Sequence, residues 1–315
     1  MCTRTWARST TSCLDYVTDP LQYEFMRRAL IEVLLMGAVT GAIGVYIVLR
    51  GLSFIGDALS HAIFPGIVIA FLIGQSIFAG ALLLGVFTSG AIAVVSQNRR
   101  VKEDSAIGVL FAGTFALGVV LISSSRNFTR DLASFLFGNV LGVTAHDILL
   151  SAVVGVIVVV LIVLFYRELL ITSFDRAAAQ AVGLPVFWLD LLLLVMISMT
   201  IVVSLRAVGN ILVVAMLVTP AATARLLTDR LLPMMLLSAA IGAASGVLGL
   251  FISYHQDIAA GGTIVLVATA IFGTVWLLAP RHGVLATRLP GRFVTGQPEA
   301  ADVFESPEIQ TPHSH

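Results

Sequence analysis

The chain has 315 residues, of which 58% are hydrophobic and 11% are charged, and its mean hydropathy is +1.01. An average soluble protein carries roughly 25% charged residues, so this composition excludes a soluble enzyme, a nucleic-acid binder and a disordered scaffold. The 18 Lys and Arg residues balance the 18 Asp and Glu residues, so net charge indicates no charged partner. The composition predicts a polytopic membrane protein.

The charged residues divide the chain into three regions. Residues 1–28 contain several charges and are predicted to be an N-terminal tail or a segment lying on the membrane interface. Residues 29–281 are predicted to form the transmembrane domain. Residues 282–315 are polar, contain Pro and include His313 and His315, and we expect a disordered cytoplasmic tail there.

Long uncharged stretches outline the membrane spans. They lie at 33–49, 58–98, 105–125, 148–166, 191–205, 207–224, 231–256 and 258–280. A bilayer core of ~30 Å takes ~20 helical residues, so most stretches hold one helix, whereas 58–98 holds two with a turn at residues 74–76. Lipid admits only helices or closed barrels. The sequence therefore predicts an all-α bundle of about nine spans, or eight if one is re-entrant.

Loop charges predict the orientation of the bundle. If residues 98–104 are cytoplasmic, then 167–186, 226–231 and the C-terminus are cytoplasmic too. This arrangement puts most Lys and Arg residues on the cytoplasmic side, as the positive-inside rule requires. The basic residues before position 29 fit it poorly, so either that segment lies on the interface or the span count is off by one.

Asp57 and His61 are the residues most typical of a metal site. Four positions apart, they project from one helix face, and a carboxylate with an imidazole suits Mn²⁺, Zn²⁺ or Fe²⁺. If the helix starts near Ser53, they lie ~6 Å and ~12 Å from its end, where charged groups are costly and face water or each other. Asp57 is thus the clear exception to charges lying in loops and tails. The alternative is a structural pair that bonds a neighbouring helix.

Two prolines are predicted to interrupt spans. Pro65 stands four residues after His61 and has no N–H, so the His61 carbonyl loses its helical partner and becomes a further oxygen ligand. Pro220 does the same to the carbonyl of Met216. Broken helices at membrane depth are tolerated where they line a cavity or are buried in protein, so both prolines are interpreted as support for a translocation path.

The segment 172–185 is predicted to contain a short helix outside the membrane. Asp175 is placed to cap its N-terminus, Gly183 suits the position after its end, and Pro185 enforces the stop. Arg176 and Gln180 lie within it. A short isolated helix is unstable in water unless it docks on something, which is either the membrane surface or a cytosolic partner.

Small residues predict close packing of helices. Gly37 and Gly41 in one span, and Gly242 and Gly246 in another, each repeat at a spacing of four on one helix face.

The sequence motifs typical of nucleotide-binding enzymes are missing. The single lysine, Lys102, is not part of a GxxxxGK[ST] phosphate loop, so the chain is predicted not to be an enzyme and not to bind ATP by that route.

Four blocks of the chain resemble the metal permeases of ABC importers for manganese, zinc and iron. They are LRGLSFIGDALSHAIFPG at 49–66, LFGNVL at 136–141, ITSFD at 171–175 and LVTPAATA at 217–224. The resemblance runs in order from about residue 24 to 281. It is greatest to the manganese-type permeases, through 172–175 and DIAAGG at 257–262, although many relatives have Pro in the latter block where this chain has Ala.

The resemblance implies a type II importer-like permease in the plasma membrane. It implies a homodimer, two cytosolic ATPase subunits and an extracytoplasmic metal-binding protein, for which the outer segment 123–147 is a candidate surface. It also implies that Asp57 and His61 bind the transported ion and that residues 175–182 form the helix that docks on the ATPase. No permanently bound cofactor is expected. The cargo is expected to be Mn²⁺, with Zn²⁺ and Fe²⁺ as alternatives.

Two other functions stay open at this stage. One is a gradient-driven secondary transporter or channel in which Asp57 and His61 relay protons. The other is a siderophore or corrinoid permease, which needs a wide path that the compact pair disfavours.

Overall fold

The computed structural model describes residues 19–97, 101–123 and 142–279, and within these ranges the chain is helical and contains no β-strand. The main helices are α1 Glu24–Leu49, α2 Ile55–Ala62, α3 Phe64–Leu72, α4 Ile77–Val95, α5 Glu103–Ser123, α6 Ala145–Leu164, α7 Tyr166–Phe174, α8 Arg176–Ala181, α9 Val186–Val208, α10 Asn210–Leu227, α11 Leu231–Gln256 and α12 Ala260–Leu278. The predicted all-α architecture is confirmed. The predictions for residues 1–18, 124–141 and 282–315 lie outside the described residues.

The number of spans agrees with the prediction from charge. Among the described residues, eight helical segments are long and apolar enough to cross a membrane, and α2 and α3 together form one of them. Most of α10, residues 212–227, is a shorter apolar helix. The first helix begins at Glu24, upstream of the predicted start of the transmembrane region, and Arg28 pairs with Glu24 one turn away.

The turn predicted inside the long uncharged stretch is present. Helix α3 ends at Leu72 and α4 begins at Ile77. Ser76 is the N-cap of α4, where its hydroxyl accepts a hydrogen bond from the Ala79 N–H at 3.5 Å. Side-chain capping of this kind satisfies a backbone donor that has no partner inside the helix. The turn therefore separates two spans, as predicted.

Helix α1 lies at the centre of the bundle and packs mainly against α10 and α11. The predicted small-residue contact is real: a Cβ at Gly37 would lie 2.8 Å from the Ala243 backbone nitrogen, and one at Gly242 would lie 2.6 Å from the Gly37 carbonyl. By contrast, α4, α5, α6 and α12 turn many large apolar side chains outwards. Such an exterior suits lipid or another apolar partner.

The two prolines act differently on their helices. The chain breaks between α2 and α3 at Ile63, and Pro65 lies in the first turn of α3, where no N–H is needed. Helix α10 runs on through Pro220, although Pro220 has no N–H to donate to the Met216 carbonyl. Pro220 is buried and the adjacent Ala221 is fully buried, and the packing of α10 against three neighbouring spans holds the helix together across the missing hydrogen bond.

Candidate functional site

The helix that carries Asp57 and His61 begins inside the bundle. Gly44 of α1 and Gly56 of α2 both lie against Leu217 of α10. Since Gly44 precedes the end of α1 at Leu49, and the N–H of Leu52 donates to the Ile47 carbonyl at 3.0 Å, α2 starts level with the last turns of α1. The residues that follow Gly56 therefore lie deeper still, within the membrane-spanning part of the molecule.

Asp57 and His61 share one face of α2, as their spacing predicts. The Asp57 Oδ1 atom lies 3.5 Å from the His61 Nε2 atom, and the two side chains are 37% and 26% exposed. Elsewhere on the helix, Ile55, Gly56, Ala58, Leu59, Ser60 and Ala62 are buried. The helix thus buries its apolar face and presents the carboxylate and imidazole together at an accessible surface. The role of the pair as a metal site stays a prediction.

The surroundings of His61 are aromatic on one side and polar on the other. Phe111 and Phe115 of α5 place their ring centroids 5.8 Å and 5.4 Å from the imidazole. On the other side, the Asn210 amide nitrogen lies 3.2 Å from His61 Nε2. Asn210 is a residue that the sequence did not single out. The only signal was an amide side chain following a glycine within a long apolar stretch.

The carbonyl of His61 lies at the end of α2. Pro65 has no N–H to donate to it, and the N–H of Ile63 donates to the Leu59 carbonyl at 3.1 Å. The role of the His61 carbonyl as a further oxygen ligand stays a prediction.

The short helix predicted at residues 175–182 is present as α8, with the predicted caps. The Asp175 carboxylate accepts hydrogen bonds from the N–H groups of Ala177 and Ala178 at 2.8 Å and 3.0 Å. Gly183 has φ +84°, and its N–H donates to the Gln180 carbonyl at 3.0 Å. Ala179 is fully buried and anchors the helix, whereas Gln180 is exposed.

An ionic network joins α8 to three other helices, and no pattern in the sequence indicated it. Arg50, just after α1, donates to Asp190 of α9 at 2.6 Å, and both side chains are about 5% exposed. Arg176 of α8 bonds Asp190 as well, and it also bonds Glu103 of α5 at 2.9 Å. A second donor contact runs from Arg50 Nε to the Ser173 hydroxyl at 3.3 Å.

The charge of Arg176 is secured by this arrangement. Burial lowers the pKa of the Arg176 guanidinium, but Asp190 and Glu103 outweigh that effect, so the pKa is raised above its ordinary value. The residue is therefore cationic throughout the physiological range. The network fixes one end of α8 to the ends of α1, α5 and α9, which consequently lie on the same side of the bundle.

A further buried carboxylate, that of Glu32, was not predicted, because in the sequence Glu32 only borders the uncharged stretch 33–49. Glu32 of α1 is fully buried and accepts a hydrogen bond from the Ser151 hydroxyl of α6 at 2.6 Å. Asp57 is thus one of several ionisable residues inside the molecule, together with Glu32 and the Arg50–Asp190 pair. The expectation that Asp57 is the clear exception to charges lying in loops and tails was wrong. A charge that borders an uncharged stretch of sequence lies at a helix end in one case and buried within a helix in another, as Glu32 does.

Known proteins resemble the chain over most of its length. The model of the ABC 3 transport family matches residues 22–279. The manganese transport system membrane protein MntC of Halalkalibacterium halodurans is 47% identical over 272 residues, which cover 86% of this chain and 93% of that protein. The probable iron transport system membrane protein of Haemophilus influenzae is 40% identical over 258 residues, which cover 82% and 95% of the two chains.

A solved structure agrees with these sequence relatives. The structure of PsaBC from Streptococcus pneumoniae in complex with Fab matches with a TM-score of 0.77 and 40% identity, and the match covers 88% of this chain and 100% of that one. The similarity therefore extends from sequence blocks to the arrangement of the helices. With a family model matched across nearly all of the described helices, the chain belongs to the ABC 3 transport family.

Proposed function

We propose that this chain is the membrane-spanning permease of an ATP-driven importer that carries Mn²⁺ across the plasma membrane. The observation that carries the proposal is the Asp57–His61 pair, whose oxygen and nitrogen lie 3.5 Å apart on an accessible face of a membrane-spanning segment. The manganese transport relative supports Mn²⁺ as cargo. The iron transport relative makes Fe²⁺ the first alternative, and Zn²⁺ is the second because it accepts the same donors.

The proposed transport step uses the pair as a transient site. An ion released from outside meets the Asp57 carboxylate and the His61 imidazole, which replace part of its hydration shell. Because the two side chains remain partly exposed, the ion is held loosely enough to leave again, as a conducting site requires. The break before Pro65 lets α2 move separately from α3 as the site changes its side of access.

The proposed working unit is a homodimer. Asp57 and His61 are 37% and 26% exposed, and Phe54 and Phe115 beside them are 54% and 37% exposed. A carboxylate that faces hydrocarbon is costly, so this face of α2 requires a partly polar surface packed against it. A second copy of the chain provides such a surface, and its own Asp57 and His61 would then lie near the same ion. Mass photometry of the purified importer is expected to find two permeases per complex.

The ATPase is proposed to dock on α8. Two apolar side chains next to this helix, Phe174 and Val182, are 62% and 74% exposed, whereas Arg176 ties its first turn to Asp190 and Glu103. A helix that exposes apolar side chains and is fixed to the bundle by ion pairs suits a partner that must move it as a rigid body. Asp190 also pairs with Arg50, and Arg50 lies in the loop between α1 and α2, the helix that carries Asp57.

The proposed arrangement in the membrane follows from the same contacts. Residues 50, 103, 176 and 190 meet at one end of the bundle, and the charge distribution makes this the cytoplasmic end, together with the C-terminus. An extracytoplasmic metal-binding protein would deliver ions to the opposite end. The permease itself is proposed to catalyse no reaction and to hold no resident cofactor, ATP hydrolysis being the partner's task.

The test is uptake of radioactive Mn²⁺ into proteoliposomes that contain the permease, its co-purified ATPase and the delivery protein. We expect uptake to need ATP and to continue when ion gradients are collapsed. Competition by Fe²⁺ and Zn²⁺ then ranks the alternative cargoes. Uptake by the permease alone, driven by a proton or ion gradient, would instead establish a secondary transporter or channel and overturn the proposal.

A further inference from the structure

Asn210 is placed at the candidate metal site by an unusual piece of backbone. Gly209 separates α9 from α10 with φ +84° and ψ 162°, a conformation that residues with a side chain rarely adopt. The break lets α10 start beside α2 within the bundle instead of continuing from α9. Asn210 is the first residue of α10 and is only 5% exposed.

The two ends of the Asn210 amide have different environments. The Nδ2 atom lies 3.2 Å from His61 Nε2. The Oδ1 atom is buried and has no hydrogen-bond partner among the described residues. A buried polar atom left without a partner costs about 1–3 kcal/mol, and such an atom in a native protein calls for an explanation. Rotation of the amide about its terminal bond would bring this oxygen to the His61 side, where a bound cation would supply a partner.

The same imidazole nitrogen is the meeting point of Asp57 and Asn210. Asp57 Oδ1 is 3.5 Å from His61 Nε2 and the Asn210 amide is 3.2 Å from it. In the part of the chain that the structure describes, no group of three His, Cys, Asp or Glu residues is placed to hold a metal ion. Each protomer thus offers a cation two such donors, and the amide is the adjoining group able to provide a third.

We propose that Asn210 is a ligand of the transported ion and favours Mn²⁺ over Zn²⁺. Without the ion, the amide donates a hydrogen bond to His61 Nε2. When the ion binds Nε2, the amide rotates about its terminal bond and turns Oδ1 toward the metal. The two orientations have nearly the same shape, so the exchange needs little space. Two oxygens and one nitrogen form a harder donor set than the pair alone, which suits Mn²⁺.

This inference rests on the proposed function, because it assumes that Asp57 and His61 hold the cargo. Its test is binding of Mn²⁺ to the purified full-length permease in nanodiscs, followed by electron paramagnetic resonance, with Zn²⁺ as competitor. Two variants separate ligation from packing: N210L keeps the size of the side chain and removes the oxygen donor, and N210D keeps the donor. The matched control is T88V on α4, which removes a different buried polar atom, the Thr88 hydroxyl, that likewise has no hydrogen-bond partner among the described residues.

We expect N210L to weaken Mn²⁺ binding on the order of 10- to 100-fold, as loss of a group close to a metal typically does, and to weaken Zn²⁺ binding less. N210D is expected to bind Mn²⁺ at least as well as the unmodified chain, and T88V is expected to bind as the unmodified chain does. If N210L binds Mn²⁺ normally, or if N210L and N210D lose binding equally while remaining folded, Asn210 is not a ligand. If the unmodified chain binds no Mn²⁺, the proposed function itself fails.

Discussion

Neutralising Asp190 is expected to destabilise the permease far more than removing its exposed partner does. The Arg50 and Asp190 side chains are 6% and 5% exposed, so D190N removes the carboxylate that pairs directly with a guanidinium in the protein interior. Loss of one member of a buried ion pair costs roughly 3–5 kcal/mol. Asn keeps the shape of the side chain and one acceptor oxygen, so the change isolates the effect of charge.

The comparison variant is R176M. Arg176 is 40% exposed, and ion pairs that are open to solvent contribute about 0–1 kcal/mol. Asp190 keeps Arg50 in this variant, so no fully buried charge is left alone. At roughly 2–4 °C per kcal/mol, D190N should lower the apparent unfolding temperature on the order of 10 °C and R176M by no more than about 4 °C.

The assay is scanning fluorimetry of the purified permease in detergent, with the double variant R50M/D190L as an internal check. Replacing both members of a buried pair by apolar residues removes the uncompensated charge, so the double variant should be more stable than D190N. The single variants R50M and D190L complete the comparison. The reasoning is refuted if D190N unfolds within two degrees or so of the unmodified chain, or if the double variant loses as much stability as R50M and D190L added together.

Two further predictions concern packing and burial. G44A is expected to lower the unfolding temperature, because a Cβ there would lie 1.9 Å from the Leu217 carbonyl oxygen. G90A should leave the unfolding temperature unchanged, because a Cβ there would have nothing within 4 Å. Equal unfolding temperatures for the two variants would contradict the close approach of α1 to α10. S151A is expected to cost about 1–3 kcal/mol, because it removes the hydroxyl that donates to the fully buried Glu32; urea or thermal unfolding that matches the unmodified chain would disprove that contact.

The spans were predictable because charge is excluded from hydrocarbon. Uncharged stretches marked most of the helices, and the turn at residues 74–76 followed from a stretch too long for one span. The pairing of Asp57 with His61 was predictable for a similar reason, since residues four apart on a helix must share a face. Both predictions depend only on local geometry and on the solvent.

The contacts between distant segments could not be predicted in this way. Arg50, Glu103, Arg176 and Asp190 lie at span ends in the sequence, and nothing in their spacing indicates that they meet. A charge at the end of a helix is solvated in one fold and buried in another, depending on which helices adjoin it. The network is therefore a property of the packing.

The prolines illustrate the same limit. Pro65 and Pro220 both lack the N–H that a helix requires, yet the chain breaks near the first and runs on through the second. The difference lies in position, because Pro65 stands in the first turn of a helix, whereas Pro220 stands in the interior of one. Asn210 was overlooked because an amide carries no charge, and its meeting with His61 depends on the break at Gly209.

The most direct test of the central claim is ATP-dependent Mn²⁺ uptake by importers that carry D57A or H61A. The matched controls are D229A, which removes a carboxylate from an exposed position, and H315A, which removes an imidazole from the C-terminal tail. If Asp57 and His61 hold the transported ion, both site variants should lose nearly all Mn²⁺ uptake while keeping assembly with the ATPase, and both controls should transport normally. Unchanged uptake in D57A or H61A would contradict the assignment of the metal site.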